Sequence, residues 1–182
     1  MRPPVFLDRD GVINRNRHDY VRRPSHWIPI PGAIDAAARL GRAGHPLVVV
    51  TNQSGIARGY YTEEDVELIH RVMSCAFRAA GVRPHGILYC PHHPDDRCRC
   101  RKPAPGMVEE ARRTLSLPRG GWMVGDAESD MELGRRSGLA TILVETGRGA
   151  AQLEMILERG LTPPDHVVPS LREAADLILS SG

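Results

Sequence analysis

Lysine is almost missing from this chain. Lys and Arg together number 24, and Lys102 is the single lysine among them. Compositional bias explains the arginines, so the surviving lysine marks a place where a compact ammonium is needed rather than a planar fork. Aromatic residues are also scarce, with two Trp, two Phe and four Tyr, which leaves core building to aliphatic side chains. No apolar run approaches the roughly 18 residues of a membrane-spanning helix, so no membrane partner is expected. A secretory leader is missing too: Met1-Arg2-Pro3-Pro4 runs straight into an apolar segment, and the expected location is cytoplasmic. Net charge is only +2, which gives no general case for nucleic acid as a partner. Four cysteines in a cytosolic chain of this size do not suggest a disulfide framework. Cys75 stands apart in a helical stretch and is expected to be a small core residue.

What is present is alternation. Short apolar segments at residues 5–7, 47–50, 86–89, 122–124 and 141–144 read as strands, with a further short one at 166–168. Helical stretches separate them. Pro31-Gly32 opens the first, with Ile34, Ala37, Ala38 and Leu40 on one face and Gly44 closing it. Thr62-Glu63-Glu64-Asp65 caps the second. This alternation predicts an α/β fold: a Rossmann-like three-layer sandwich around a mainly parallel sheet of five or six strands. The 182 residues suit a single domain over 1–182. No insertion is long enough to form a cap domain.

Polar residues follow the carboxyl ends of these strands. The first stops at Asp8-Arg9-Asp10-Gly11, where period-2 alternation puts both aspartates on one side of an extended chain. Two carboxylates so close call for a cation or a shared proton. The second strand ends in Thr51-Asn52-Gln53-Ser54, the third runs into a loop containing Lys102, and the fourth ends in Gly125-Asp126. Asp130 lies one helical turn beyond Asp126. Parallel strands would gather these groups at one edge, where open α/β sheets bind ligands. Residues 1–102 carry 16 basic and 10 acidic side chains, whereas 103–182 carry 8 and 12. The first part therefore leans towards anionic ligands.

The third strand leads into Cys90-Pro91-His92-His93, followed by Cys98-Arg99-Cys100. Three thiols and an imidazole satisfy the ligand count of a closed structural Zn²⁺ site. Such a site can contribute on the order of 10 kcal/mol to ordering a loop that has no core of its own. The spacing of Cys90 and His92 repeats that of Cys98 and Cys100, which favours His92 over His93 as the ligand.

Asp8-x-Asp10-Gly11-Val12, the strand-end Thr51-Asn52, Lys102 and Gly125-Asp126-x-x-x-Asp130 together resemble the four motifs of the haloacid-dehalogenase superfamily of phosphatases. They occur in the right order over nearly the whole chain. The resemblance implies that Asp8 is a nucleophile forming an aspartyl-phosphate and that Asp10 is the acid/base. Thr51 and Lys102 would bind phosphoryl oxygens. Mg²⁺ would be held by the Asp8 and Asp126 carboxylates and the Asp10 carbonyl, a hard-oxygen shell. Asp130 would stand behind them, orienting Lys102 or a metal-bound water.

The zinc-binding loop, about 90–103, ends in Cys100-Arg101-Lys102-Pro103. It resembles the branch that holds heptose-bisphosphate and histidinol-phosphate phosphatases. Thr51 to Gly59 and Asp19-Tyr20-Val21 are similar to the heptose side of that branch. By this resemblance Asp19, Tyr20, Asn52, Gln53, Ser54 and Arg101 bind substrate. The cofactors are catalytic Mg²⁺ and structural Zn²⁺, and the partner is a small sugar phosphate met by a monomer. The implied reaction removes the C7 phosphate of D-glycero-D-manno-heptose 1,7-bisphosphate on the way to nucleotide-activated heptose for surface polysaccharide. Histidinol-phosphate hydrolysis and an inactive zinc-binding scaffold are the alternatives. A distal phosphate would meet Arg101 and one of Arg15, Arg17 or Arg58. Ala127 departs from family members that carry Lys at that position.

Overall fold

The computed structural model describes residues 2–181. Six strands form one sheet: β1 (Val5–Leu7), β2 (Leu47–Asn52), β3 (Gly86–Cys90), β4 (Trp122–Gly125), β5 (Ala140–Val144) and β6 (His166–Val168). Their order is β3-β2-β1-β4-β5-β6, and every neighbouring pair is parallel. Six α-helices occupy the connections: α1 (Ala33–Arg42), α2 (Glu63–Ala79), α3 (Gly106–Leu115), α4 (Glu128–Arg136), α5 (Gly149–Glu158) and α6 (Leu171–Ser180). Among the described residues no helix is long and apolar enough to cross a membrane.

The central strands are mostly apolar because both faces of the sheet are covered there. Val5 and Leu7 of β1 point into a core shared with α1, α2 and α6. Phe6, between them, points into the opposite core with Met107, Val108 and Ala111 of α3 and Leu133 of α4. All three β1 residues are fully buried. Burying such side chains stabilises the fold by roughly 1.5–3 kcal/mol each.

On α1 the buried stripe is Ala33, Ala36, Ala37, Ala38 and Leu40, whereas Ile34 is only half-buried at its margin. The α2 stripe is Val66, Ile69, His70, Met73 and Phe77, at the helical spacing of an apolar face. Thr62 accepts from the Asp65 amide and caps this helix. The expectation for Cys75 is overturned: it is exposed. Its place two residues after Met73 and two before Phe77 turns it to the opposite side of the helix.

Strand order places the site. The chain winds outward from β1 through β2 to β3, then returns to the other side of β1 to lay down β4, β5 and β6. Helices therefore leave in opposite directions at β1 and β4, opening a crevice at the carboxyl ends of those strands. The Asp8 amide donates to the Val124 carbonyl at 2.9 Å and continues the β1–β4 ladder to the rim of that crevice.

Candidate active site

A pocket of about 640 Å³ lies at this rim, and Asp8, Asp10, Thr51, Lys102 and Arg101 are among its lining residues. At its floor sits Asp8, with one carboxylate oxygen accepting from the Arg9 amide at 2.7 Å. The same oxygen lies 2.8 Å from the Lys102 Nζ. That ammonium also lies 2.7 Å from Asp130 Oδ1 and donates to the Val50 carbonyl at 3.1 Å. Lys102 is thus buried between two carboxylates and the end of β2. Burial alone would lower its pKa, but Asp130 and Asp8 overcome this and hold it above the usual lysine range.

Asp8, Asp126 and Asp130 form one buried cluster, each with an oxygen within 4.8 Å of the others. Burial pushes Asp8 up to about 6 against the pull of Lys102. Asp126 is also pushed to about 6, by burial and by the charge of Asp8. One ammonium does not balance three carboxylates, so the cluster calls for another cation. Its hard oxygen donors fit Mg²⁺. Glycines make this packing possible. A Cβ on Gly11, where φ is +90°, would overlap the Asp126 carboxylate, and so would one on Gly147. Gly125 similarly leaves room for the Asp130 side chain.

Asp126 and Asp130 do not themselves line the pocket. Asp126 is covered by the turn after β5, where the Arg148 amide donates to Oδ2 at 2.9 Å and its guanidinium reaches Oδ1 at 3.4 Å. Sequence reasoning missed Arg148. It follows β5, whose end carries none of the expected groups, and the flanking Gly147 and Gly149 are its only local signal. The buried Ala127 supplies no cation, whereas Arg148 brings one to the pocket wall from β5.

Asp10 is held differently. Its carboxylate accepts from Arg9 Nη2 at 3.1 and 2.8 Å, from Asn14 Nδ2 at 2.8 Å and from Gln53 Nε2 at 3.0 Å. Burial raises its pKa, but Arg9, Asn14 and Gln53 outweigh burial and hold it below the usual carboxylate range. Gln53 also donates to Thr51 Oγ1 at 2.9 Å and accepts from the Tyr61 hydroxyl at 2.8 Å. One amide side chain therefore fixes both Thr51 and Asp10.

The loop after β3 arrives with its own cluster. Sγ of Cys90, Cys98 and Cys100 and Nδ1 of His92 lie 3.2–3.5 Å apart in the contacts they make. These spacings match the edges of a small tetrahedron, and the donors suit Zn²⁺. His93 is turned away, its Nδ1 accepting from the Asp95 amide. Asn52 ties the end of this loop to β2: it accepts from the Lys102 amide at 3.0 Å and donates to the Lys102 carbonyl at 3.2 Å. Arg101, beside Lys102, keeps a buried Nη1 with no hydrogen-bond partner.

The remaining expected substrate groups divide. Tyr20, Asn52, Gln53 and Ser54 line the pocket. Asp19 does not, because both its oxygens bind Arg17, at 2.9 and 3.0 Å. Arg15 also lies outside the lining, whereas Arg17 and Arg58 are part of it. Of these two, Arg17 is already neutralised by Asp19.

A parallel sheet in this order, with a carboxylate pair at the end of its central strand and a buried lysine facing it, defines a haloacid-dehalogenase-like hydrolase. A HAD-hydrolase-like family model matches residues 99–174. The D-glycero-beta-D-manno-heptose-1,7-bisphosphate 7-phosphatase of Pseudomonas aeruginosa is 44% identical over 157 residues, covering 86% of this chain and 88% of that protein. Its counterpart in Pseudomonas putida is 43% identical over 151 residues, covering 82% and 86%. The crystal structure of the D,D-heptose 1,7-bisphosphate phosphatase from B. bronchiseptica, complexed with magnesium and phosphate, superposes with a TM-score of 0.91. It is 36% identical and the match covers 100% of both chains. This chain belongs to that family of haloacid-dehalogenase-like heptose-bisphosphate phosphatases.

Proposed function

We propose that this protein hydrolyses the C7 phosphate ester of D-glycero-D-manno-heptose 1,7-bisphosphate in the cytoplasm, as a single-domain monomer. The observation that carries the reading is the buried meeting of Asp8, Asp126 and Asp130 with Lys102. It suits phosphoryl transfer, in which charge must be balanced at the entering and leaving oxygens. Free cysteines suit a reducing compartment.

In this reading an Asp8 oxygen attacks phosphorus while the ester P–O bond breaks and its electron pair goes to the sugar oxygen. Asp10 gives that oxygen a proton. Asp10 then takes a proton from a water whose oxygen attacks the aspartyl-phosphate. Inorganic phosphate leaves, and Asp8 is restored as a carboxylate. The approach of the phosphoryl dianion raises the pKa of Asp10 from its depressed value and readies it as an acid. Lys102 and the Thr51 hydroxyl hold phosphoryl oxygens. Mg²⁺, carried by Asp8 and Asp126 with the Asp10 carbonyl, would neutralise the phosphoryl group and fix it in line. Zn²⁺, on Cys90, His92, Cys98 and Cys100, would brace the loop that presents Arg101 and Lys102. The unpartnered, buried Arg101 Nη1 supports a second anionic group on the substrate, with Arg58 as the other free arginine of the lining.

The test is phosphate release with Mg²⁺ from both anomers of heptose 1,7-bisphosphate, from heptose 7-phosphate and from histidinol phosphate. The expected result is the highest kcat/KM for a heptose bisphosphate, with Arg101→Ala erasing its advantage over heptose 7-phosphate. A preference for histidinol phosphate overturns the assignment. Absence of turnover on every substrate overturns the enzyme reading.

A further inference from the structure

Among the described residues Arg9 is the largest side chain that is completely buried. Its guanidinium makes few contacts. Nη2 donates to both oxygens of Asp10, Nη1 lies 3.2 Å from His70 Nε2, and the buried Nε has no partner. Stability does not explain this arrangement. A buried guanidinium costs several kcal/mol of desolvation, and an apolar residue of similar volume would serve the core as well. An orphaned buried donor adds to the cost.

His70 is the other half of the arrangement. It is buried on α2, with its ring edge-on to Tyr89 at 5.7 Å. Burial, and then the charge of Arg9, push its pKa down to about 3. The ring is neutral near pH 7, so Nε2 offers a lone pair to an Arg9 N–H. A neutral imidazole thereby sets the orientation of a cation without competing for its charge.

The result falls on Asp10. Each of its oxygens accepts from Arg9 and from one amide, Asn14 on Oδ1 and Gln53 on Oδ2. Its carboxylate stands outside the Asp8–Asp126–Asp130 cluster and remains open to the pocket, 23% exposed. We propose that Arg9 and His70 are positioning residues that hold the Asp10 carboxylate apart from the metal-binding carboxylates and aimed at the leaving oxygen. This inference rests on Asp10 being the acid/base of the proposed reaction.

A leaving group that needs no proton separates positioning of an acid from general structural damage. The nitrophenolate of p-nitrophenyl phosphate is such a group. Arg9→Met should lower kcat on the heptose bisphosphate on the order of 10²-fold. It should leave the first-turnover release of nitrophenolate within about tenfold of wild type, as a burst followed by slow hydrolysis of the aspartyl-phosphate. His70→Leu should show the same pattern more weakly, and His70→Gln, which restores an acceptor, should recover most of the loss. Equal losses on both substrates in the first turnover, or a fully active His70→Leu, overturn the inference. Should Arg9→Met fail to give a native circular dichroism spectrum, the two His70 variants decide it. Asp10→Asn is the reference. If it shows no leaving-group dependence, the acid/base reading of Asp10 fails. If it does and the Arg9 and His70 variants do not, only the positioning inference fails.

Discussion

Two clusters among the described residues can hold a metal, and they are built in opposite ways. The carboxylates come from β1, the end of β4 and the first turn of α4, and all three are buried. Lys102, the Ala127 amide and the Arg148 amide hold them from three further directions. The thiols and the imidazole come from the end of β3 and the short segment after it, and His92 is exposed. That loop packs on the core through Cys90, Cys98 and Cys100 themselves. The first site is fixed by partners from several elements and carries more negative than positive charge. The second lies on a largely exposed segment, which Zn²⁺ would brace. Metal at the carboxylates should therefore change chemistry, and metal at the thiols should change order.

The largest expected effect is at Asp8. Asp8→Asn should lower kcat on the order of 10⁴-fold or more, with zinc content and the thermal midpoint nearly unchanged. A comparable loss of zinc would merge the two clusters into one structural unit and break the contrast. Lys102→Met comes next, because it leaves Asp8 and Asp130 buried without their shared cation. A loss of about 3 kcal/mol in urea unfolding is expected, with kcat down on the order of 10³-fold. Mg²⁺ should restore part of the stability and little of the activity.

Cys100→Ser should act through order alone. Bound zinc is lost, and cleavage by a protease between 91 and 101 accelerates. The kcat falls by about 10–100-fold as Arg101 and Lys102 lose their brace. Helix and strand signals should persist, and added Mg²⁺ should not rescue. The smallest effect tests the buried scaffold of the first site by pH. His70 has its folded pKa depressed to about 3, far below its unfolded value. Its contribution to stability is therefore present above the unfolded pKa and lost as pH falls. Between pH 7 and 5 the loss is about 2 kcal/mol, read from urea midpoints. His70→Gln should flatten that slope, and an unchanged slope would remove His70 from the buried network.

The expected chemistry was legible because residue type and strand-end position coincide. Asp8, Asp10, Thr51, Lys102 and Asp126 each follow an apolar strand in a parallel sheet, so topology alone gathers them. The thiol loop was legible because its ligands are close in sequence. One expectation fails. Cys75 was judged by residue type, and the phase of α2 turned it outward. Asp19 pairs with Arg17, two residues away, a contact that its motif does not announce. Arg9, His70 and Arg148 escaped notice because their partners lie on other elements or across the fold, and local sequence does not name those partners.

By itself the sequence determined the strand–helix alternation, the single lysine, the metal-ligand types and the carboxylate pair of β1. Apolar period and chemical identity are local properties, and they survive in a linear string. Only the tertiary structure decided which charges meet. It seated Lys102 between Asp8 and Asp130, pinned Asp10 between Arg9, Asn14 and Gln53, and closed Arg148 over Asp126. An ion pair or hydrogen bond needs its partners within about 4 Å of each other. Its partners are therefore set by packing across the sheet edge, which residues distant in sequence reach only when the chain is folded.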